Sequence, residues 1–254
     1  MRATLTLIRR EFTAYFYSPI AYVVFAFFLL ATGYLFSLTM NQLTEHGPRG
    51  VEYPLQMLLG DERFWLIFVS VLPLITMRLF AEERSTGTLE MLLTAPLQDW
   101  QVVAAKFAAC FAFYAFLWLP TLLYLPVLLG FDWQSRQAAV DYRPVLTTYF
   151  GLAMVGAMFL ALGLFVSSLV RSQLVAALIS LAMSLVFVVA AFWRPELDTG
   201  SLSYKLRNFV SVPVHFHSDF TRGQLDSRSI ILYGSTALFC LFLTVRSLES
   251  RRWR

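Results

Sequence analysis

The sequence contains little charge and few residues of the kinds that build disulfide or metal sites. Only 14% of its 254 residues are charged, whereas about 25% is usual for a soluble domain. The two cysteines, Cys110 and Cys240, lie within apolar segments without a CxxC pattern or neighbouring histidines. We interpret them as small buried apolar residues, which excludes a disulfide-built fold.

The sequence also lacks a phosphate-binding loop. Such a loop ends in Gly-Lys-Ser or Gly-Lys-Thr, but Lys106 lies in Ala-Ala-Lys-Phe and Lys205 in Ser-Tyr-Lys-Leu. No Ser-Lys or Asp-His arrangement indicates an intramembrane protease, so we assign no catalytic residue. We therefore expect a chain that is not an enzyme and binds no cofactor, and any ATP-driven work must come from a partner subunit.

Histidines are scarce and do not complete a metal site. If the segment His215-Phe216-His217 is extended, the two histidine side chains point the same way and are placed to bind one metal ion together. No further Cys or His completes a ligand set, so we assign no metal site and interpret these histidines as polar tips at the membrane surface.

Apolar residues dominate what the sequence does contain. Hydrophobic residues make up 58%, 24 residues are Phe, and the mean hydropathy is +0.63. About 20 apolar residues span a bilayer, and the sequence has six such segments: Ile20–Met40, Phe64–Phe80, Val102–Gly130, Val145–Val170, Leu174–Trp193 and Ser229–Val245. The sequence predicts an all-α integral membrane fold with six transmembrane helices, in a single domain over residues 1–254.

Proline and small residues indicate how these spans are shaped and packed. Pro73 is expected to kink the second span, and Pro120 and Pro126 the third. The fourth span carries small residues, several of them four apart, which favour close helix packing. These residues are Gly151, Ala153, Gly156, Ala157, Ala161 and Gly163.

The distribution of basic residues predicts the orientation. Six spans place both termini on one side, where 11 of the 20 basic residues lie with only six of the 16 acidic ones. By the positive-inside rule this side is cytoplasmic. The arginines lie scattered at span ends rather than on one face, so we expect no nucleic-acid partner.

The N-terminal segment Met1–Pro19 reads as an amphipathic helix. Leu5, Ile8, Phe12, Tyr15 and Phe16 recur at helical spacing, and basic residues occupy other faces. We expect this helix to lie at the membrane surface against lipid headgroups. A basic flank that only sets orientation is a compatible alternative. The residues to which we assign this predicted surface role are Arg9, Arg10, Glu11, Phe12 and Phe16.

The third external segment is too apolar for a free loop. Residues Tyr204–Phe220, interrupted at Pro213, are expected either to dip into the outer leaflet or to cap the bundle.

The segment between the second and third spans combines charge, a turn and a short helix. Glu82, Glu83 and Arg84 end the second span, and Ser85 to Thr88 form a turn around Gly87. Arg78 and Glu82, four residues apart, either pair or contact the interface separately.

A short amphipathic helix is predicted to follow, over Leu89–Thr94. Leu89, Leu92 and Leu93 form one apolar stripe, Glu90 lies beside it, and Pro96 ends it. An inert interfacial loop is the alternative.

Residues 82–97, Glu-Glu-Arg-Ser-Thr-Gly-Thr-Leu-Glu-Met-Leu-Leu-Thr-Ala-Pro-Leu, followed by Trp100 and Lys106, resemble the cytoplasmic coupling segment of ABC type-2 transporter permeases. The closest resemblance is to the gliding-motility-type branch. Residues 10–22, 167–173 and 246–253 resemble that branch as well, so the resemblance covers nearly the whole chain.

The resemblance implies a permease subunit of an ABC transporter with an N-terminal elbow helix and a cytoplasmic coupling helix between spans two and three. It implies export, a separate ATPase subunit that binds ATP and Mg, and a second permease copy or a related permease with an external domain. It also implies a bacterial inner-membrane location. The coupling residues would be Glu82, Glu83, Arg84, Gly87, Thr88, Leu89, Glu90, Leu92, Leu93 and Thr94.

A different class of function remains open on the sequence alone. A membrane anchor that recruits a cytoplasmic protein through the same segment, without transport, has the same charge and hydropathy pattern. The substrate is not determined by the residues, since a path lined by apolar and aromatic side chains suits lipids, glycans or peptides.

Overall fold

The structure is a computed structural model that describes residues 2–46, 58–88, 98–127, 142–192 and 209–252, and these ranges contain helices and no strand. The helices are α1 (Arg2–Phe16), α2 (Pro19–His46), α3 (Glu62–Thr76), α4 (Ala81–Thr86), α5 (Asp99–Trp118), α6 (Tyr142–Leu169), α7 (Gln173–Phe192), α8 (Val212–Ser218) and α9 (Ser227–Arg252). Short 3-10 segments follow α5 at Leu119–Leu123 and α8 at Phe220–Arg222.

Six stretches of helix in the described ranges are long and apolar enough to cross a membrane. They are Pro19–Gln42, Glu62–Thr86, Asp99–Val127, Arg143–Leu169, Gln173–Phe192 and Ser227–Ser250. Each overlaps one predicted span, so the prediction of an all-helical fold with six spans is confirmed. The last one extends further than predicted because its charged end, around Arg246, continues the same helix.

The spans differ in how much of their surface the bundle covers. About two thirds or more of the residues in the second and fourth spans are buried, whereas fewer than a third are buried in α2, α7 and α9. α6 packs against α3, α5, α7 and α9, and this makes it the central helix. Its uniformly apolar sequence fits that position, since a helix that is apolar all round is a buried or membrane helix.

Small residues explain how neighbours approach α6 so closely. A β-carbon added at Gly156 would overlap the ring of Tyr114, and one added at Gly163 would overlap Thr76. The predicted packing role of these glycines is therefore confirmed. The alanines of the same helix are buried or partly buried, namely Ala153, Ala157 and Ala161.

Helix irregularities occur beside two of the predicted prolines. Pro73 lies inside α3, which ends at Thr76, and residues 77–80 form a turn before α4 begins. Pro120 lies at the start of the 3-10 segment in which the third span changes pitch. A proline removes one helical hydrogen bond, so the helix is weakest there. Pro126 lies in the last described turn of that span.

Residues 212–222 form a cap over one end of the bundle. Val212, Phe216 and Phe220 are fully buried. The Phe216 ring lies 5.4 Å from the ring of Trp65, and a side chain at Gly151 would overlap the rings of Phe216 and Phe220. Of the two predicted arrangements, the structure shows the cap; residues 204–208 of the predicted segment lie outside the described residues.

Hydrogen bonds fix the cap to the spans beneath it. The carbonyl oxygen of Phe220 accepts from Thr147 Oγ1 at 2.7 Å and from Thr148 Oγ1 at 3.3 Å, both on α6. Ser229, on α9, donates to the Asp219 carboxylate at 3.2 Å. The cap is therefore attached to two spans as well as packed on them.

Of two expectations about this segment, one is confirmed close to its predicted position and one is corrected. Residues 209–210 are helical, the helix breaks at Ser211, and Pro213 lies in the first turn of α8, where proline is well tolerated because that N–H has no helical partner, so the predicted interruption lies two residues before the proline. His215 and His217 lie on a helix, so their side chains point roughly 200° apart rather than the same way. Within the described ranges no group of three or more potential metal ligands occurs.

Candidate functional site

The predicted coupling helix itself cannot be placed, because residues 89–97 lie outside the described residues. This range contains Leu89, Glu90, Leu92, Leu93 and Thr94. The structure does describe the helices on both sides of it, α4 and α5, and the surfaces against which they pack. We call this end of the bundle, where α1, α4, the start of α5 and the end of α6 meet, the terminal end.

Helix α4 is the element that leads into the coupling segment. Glu82 and Glu83 lie in its first turn and Arg84 in its last, which suits the charges at the two ends of a helix. Gly87 follows with a φ of 73°, a left-handed conformation that ends helices and favours glycine. The helix therefore extends to Thr86, and the predicted turn is confined to the residues around Gly87.

Thr86 and Thr88 contact each other across this turn. Their hydroxyl oxygens lie 2.9 Å apart, and Thr86 Oγ1 also donates to the carbonyl oxygen of Glu82 at 3.0 Å. Both threonines and Gly87 are exposed. The turn at the end of α4 is thus closed by hydrogen bonds and open to solvent.

A buried lysine joins three helices at the terminal end. Lys106, on α5, is 1% exposed, and its Nζ donates to Glu83 Oε1 on α4 at 2.7 Å and to Glu11 Oε2 on α1 at 3.2 Å. The ammonium also lies 5.2 Å from the centre of the Phe80 ring. We call these three side chains, Glu11, Glu83 and Lys106, the lysine junction.

The charges of the lysine junction do not cancel within it. Two carboxylates face one ammonium, and Glu83 Oε2 is buried with no hydrogen-bond partner among the described residues. A buried charge is costly unless it is paired, so the ammonium is what allows both carboxylates to lie here. Sequence reasoning missed this contact, although a lysine within an apolar span signals a counter-charge.

The turn between α3 and α4 is fastened to the end of α6 by one hydroxyl. Ser167 Oγ accepts from the backbone N–H groups of Phe80 and Ala81, both at 3.1 Å, and donates to the carbonyl oxygen of Met77 at 3.2 Å. Ser167 is fully buried. A serine hydroxyl offers one donor and two acceptor sites, so this arrangement uses all of them.

Arg78 makes the pair that was predicted with Glu82. Its Nε donates to Glu82 Oε2 at 2.9 Å, and a second nitrogen lies 3.3 Å from Oε1. Arg78 also donates to Ser18, which lies between α1 and α2. Both side chains of the pair are partly exposed, so the pair adds little stability, but it holds the Arg78 side chain in one direction, towards Glu82.

Helix α1 packs by its aromatic side chains along α5. The rings of Tyr15 and Phe113 are stacked with their centres 4.7 Å apart, and Phe16 meets Phe113 edge-on at 6.0 Å. Tyr15 also donates to the carbonyl oxygen of Ile75 on α3 at 3.1 Å. Phe12 packs against the same core.

The remaining faces of α1 follow the predicted pattern with one difference. Arg9 and Arg10 are exposed, whereas the Glu11 side chain is only 12% exposed because it faces Lys106. Leu5, which the periodicity placed on the apolar stripe, is 64% exposed, and Leu7 is buried instead. The packed face is therefore rotated towards Leu7 in the first turns.

Comparison with known protein families finds a match over more than half of the chain. The family model described as ABC-2 family transporter protein matches residues 55–204, which is 150 of the 254 residues. The matched region includes α4, residues 89–97, Lys106 and Ser167 and leaves out α1, α2, α8 and α9. No curated protein matches the chain, and assignment to the gliding-motility branch stays a prediction.

The family is consistent with the fold, because six described helices are long and apolar enough to cross a membrane. Membership of this family implies an ATPase partner. Since the family model matches more than half of the sequence, this chain belongs to the ABC-2 transporter family and is a multi-pass membrane protein.

Proposed function

We propose that the chain is the transmembrane permease subunit of an ATP-driven exporter, in which a separate ATPase subunit binds ATP and Mg. The single observation that carries this proposal is the construction of the terminal end. Helix α4, which leads into residues 89–97, is joined to α1 and α5 by Lys106 and to α6 by the Ser167 contacts with its first residues. Force applied to residues 89–97 is therefore expected to reach several spans through α4.

The proposed mechanism starts at the coupling segment. Closure of the ATPase subunits upon ATP binding pushes on Leu89–Thr94, and α4 moves with it. The turn at residues 77–80, where α3 is interrupted, absorbs the change of direction. The second and third spans then tilt, and the substrate path between two permease protomers opens to the other side.

The described geometry divides the coupling residues into two groups. Glu82 faces Arg78, Glu83 faces Lys106, and Arg84 donates to the carbonyl oxygen of Ser168. These three serve to transmit movement within the permease. Gly87 and Thr88 are exposed, and with the stripe Leu89, Leu92 and Leu93, Thr94 and the adjacent Glu90 they form the surface offered to the ATPase.

We further propose that both termini and residues 85–97 lie in the cytoplasm of a bacterium and that the protein works as a dimer in the inner membrane. The second protomer is another copy or a related permease with an external domain. The excess of basic residues on the terminal side supports this orientation. The exposed Arg9 and Arg10 support contact of α1 with lipid headgroups.

Cysteine labelling of intact cells tests the orientation. In a background without Cys110 and Cys240, the reagent should label Gln134→Cys but not Thr86→Cys until the cells are opened. Labelling of position 86 from outside would contradict the proposed orientation.

The function is tested by removing the apolar anchors of the coupling segment. Buried apolar anchors each contribute roughly 1–3 kcal/mol to a small interface, and about 1.4 kcal/mol is a factor of ten in affinity. Leu89→Ala together with Leu92→Ala should therefore weaken co-purification of the ATPase at least about tenfold. Membrane insertion should be normal because the spans are unchanged.

A matched control is available on the third span, at the end away from the coupling segment. Leu119 and Leu122, in the 3-10 segment after α5, are 56% and 42% exposed, and their replacement by Ala should leave ATPase association unchanged. If the first variant retains the ATPase as well as the control does, the proposed coupling helix is wrong. If the ATPase binds but its ATP turnover never responds to the permease, the chain is an anchor instead.

A further inference from the structure

We propose that Lys106 is a positioning residue that makes helix α1 move together with α4 during coupling. This inference rests on the proposed function, because it concerns the transmission of movement from the ATPase side. It assigns to a lysine of the third span, and to Glu11, a role in the link between the surface helix and the coupling segment.

The geometry places the lysine between two helices that are far apart in the sequence. Its Nζ lies 2.7 Å from the Glu83 carboxylate of α4 and 3.2 Å from the Glu11 carboxylate of α1. All three side chains are largely removed from solvent, with Lys106 1%, Glu11 12% and Glu83 17% exposed. Bonds in such a site are stronger than at an exposed surface because water screens them less.

The sign of the charges makes this contact specific. Without the ammonium, Glu11 and Glu83 would face each other as two like charges, and Arg10, whose guanidinium lies 3.9 Å from Glu11, is 69% exposed and too screened by water to replace it. Removal of Lys106 therefore does more than delete an attraction, since it leaves a repulsion that separates α1 from α4. An apolar residue of similar size would fill the space without fixing the two helices in one arrangement.

The surroundings of the junction explain why such a link matters. α1 and α5 already form one packed unit through the stacked rings of Tyr15 and Phe113. α4 begins after the turn at residues 77–80, and the ring of Phe80 in that turn lies against the Lys106 ammonium. The lysine therefore lies where α4 would otherwise slide past the unit formed by α1 and α5.

Spin-label distances in the complete complex with its ATPase test this directly. Thr13 on α1, Ser85 on α4 and Ser235 on α9 are exposed positions for single labels in a background without Cys110 and Cys240. On ATP binding, the distance from 85 to 235 should change while the distance from 13 to 85 stays constant. In Lys106→Met, the distance from 13 to 85 should broaden and change on ATP binding.

Function and rescue provide the second readout. Lys106→Met should transport at least about tenfold less substrate per ATP hydrolysed while still retaining the ATPase. Lys106→Arg keeps the positive charge that faces both Glu11 and Glu83, so it should recover most of the coupling. A purely structural role would reduce transport and ATP turnover together and would leave the distance from 13 to 85 constant.

A milder variant covers the case in which Lys106→Met does not fold. Glu11→Gln removes the charge on α1 and leaves the Lys106–Glu83 pair intact, so it should loosen the distance from 13 to 85 without loss of the protein. The control is Arg246→Met, which breaks an exposed ion pair with Glu249 at the same end and should change neither readout.

The outcomes separate this inference from the proposed function. If wild-type protein never retains an ATPase, the proposed function fails. If the complex assembles and transports, yet neither Lys106→Met nor Glu11→Gln changes the distance from 13 to 85 or the transport per ATP, the inference about Lys106 is wrong.

Discussion

The two ends of the helical bundle are held together by different kinds of contact. At the terminal end, charged groups and hydroxyls join α1, α4, α5 and α6, with Lys106 and Ser167 at the centre. At the cap end, the rings of Trp65, Phe216 and Phe220 pack on each other. Hydroxyl contacts, such as that of Thr147 with the Phe220 carbonyl, attach the cap to the spans.

The difference matters because the two kinds of contact respond differently to movement. A hydrogen bond or ion pair in a buried site has one favourable geometry, and loss of one partner leaves the other unsatisfied. Apolar packing depends on buried area and tolerates small shifts of direction. The terminal end is thus suited to transmit a defined displacement, and the cap end is suited to keep the bundle closed.

The largest expected effect is the loss of stability caused by removing the Phe216 ring from the cap. Phe216 is fully buried against Trp65 and Phe220, and loss of such a ring costs about 3–5 kcal/mol. Phe216→Ala should lower the thermal unfolding temperature of the purified protein without reducing the amount of ATPase that co-purifies. Phe239, 60% exposed on α9, is the control, and an equal loss in Phe239→Ala would contradict the comparison.

A loss of coupling is expected at Ser167. Ser167→Ala leaves two backbone N–H groups and one carbonyl without their hydroxyl partner, so the turn between α3 and α4 is no longer fastened to α6. We expect less ATPase stimulation at nearly normal ATPase binding.

The control for Ser167 is a serine whose side-chain hydrogen bonds are to carbonyl groups of its own helix. Ser180 is buried on α7 and donates to the carbonyl oxygens of Ala176 and Ala177, so Ser180→Ala should be nearly neutral. Equal stimulation in Ser167→Ala and wild type would show that the α4–α6 contact is not needed for transmission.

A substitution in the turn after α4 should act through the backbone conformation it can adopt and not through contacts of its side chain. Gly87 has a positive φ, and no atom of the described residues lies within 4 Å of an added β-carbon. Gly87→Ala should therefore destabilise the turn by about 1 kcal/mol through strain rather than collision. Asn adopts this conformation more easily, so Gly87→Asn should retain more ATPase binding than Gly87→Ala, and the reverse order would be inconsistent with strain.

The smallest effect is expected from a change of pH, which alters stability through the two histidines of the cap. Removal from solvent lowers the pKa of His215, partly offset by Asp219 and Asp226, and burial together with Arg222 lowers the pKa of His217. The unfolded chain then binds protons more readily than the cap, so stability is lost as pH falls below about 6.5.

Unfolding temperatures measured from pH 7.5 to pH 5 test this effect. His215→Gln should show a smaller decline than wild type towards low pH. A decline that is just as steep in a variant lacking both His215 and His217 would assign it to other groups.

Sequence reasoning predicted best what depends on local pattern. The six spans follow from length and hydropathy, the Arg78–Glu82 pair from four-residue spacing, and the packing role of Gly156 from the small-residue pattern of its helix. Burial of the cap followed from its apolar content, but its helical form did not, since a short apolar stretch fits either period.

Contacts between distant parts of the chain were beyond prediction. Nothing local identifies Glu11 and Glu83 as the partners of Lys106, because they lie 95 and 23 residues away from it. The Ser167 contacts depend on an interruption of α3 that brings three backbone groups to one hydroxyl. The choice of Leu7 over Leu5 likewise depends on which helix lies beside α1.

The most direct test of the central claim is photocrosslinking in the assembled transporter. A photoreactive amino acid at position 86 or 90 should crosslink to the ATPase subunit, whereas one at position 235, on the half of α9 nearer the cap, should not. A complex that hydrolyses ATP and transports, yet gives no crosslink to the ATPase from 86 or 90, would contradict the account.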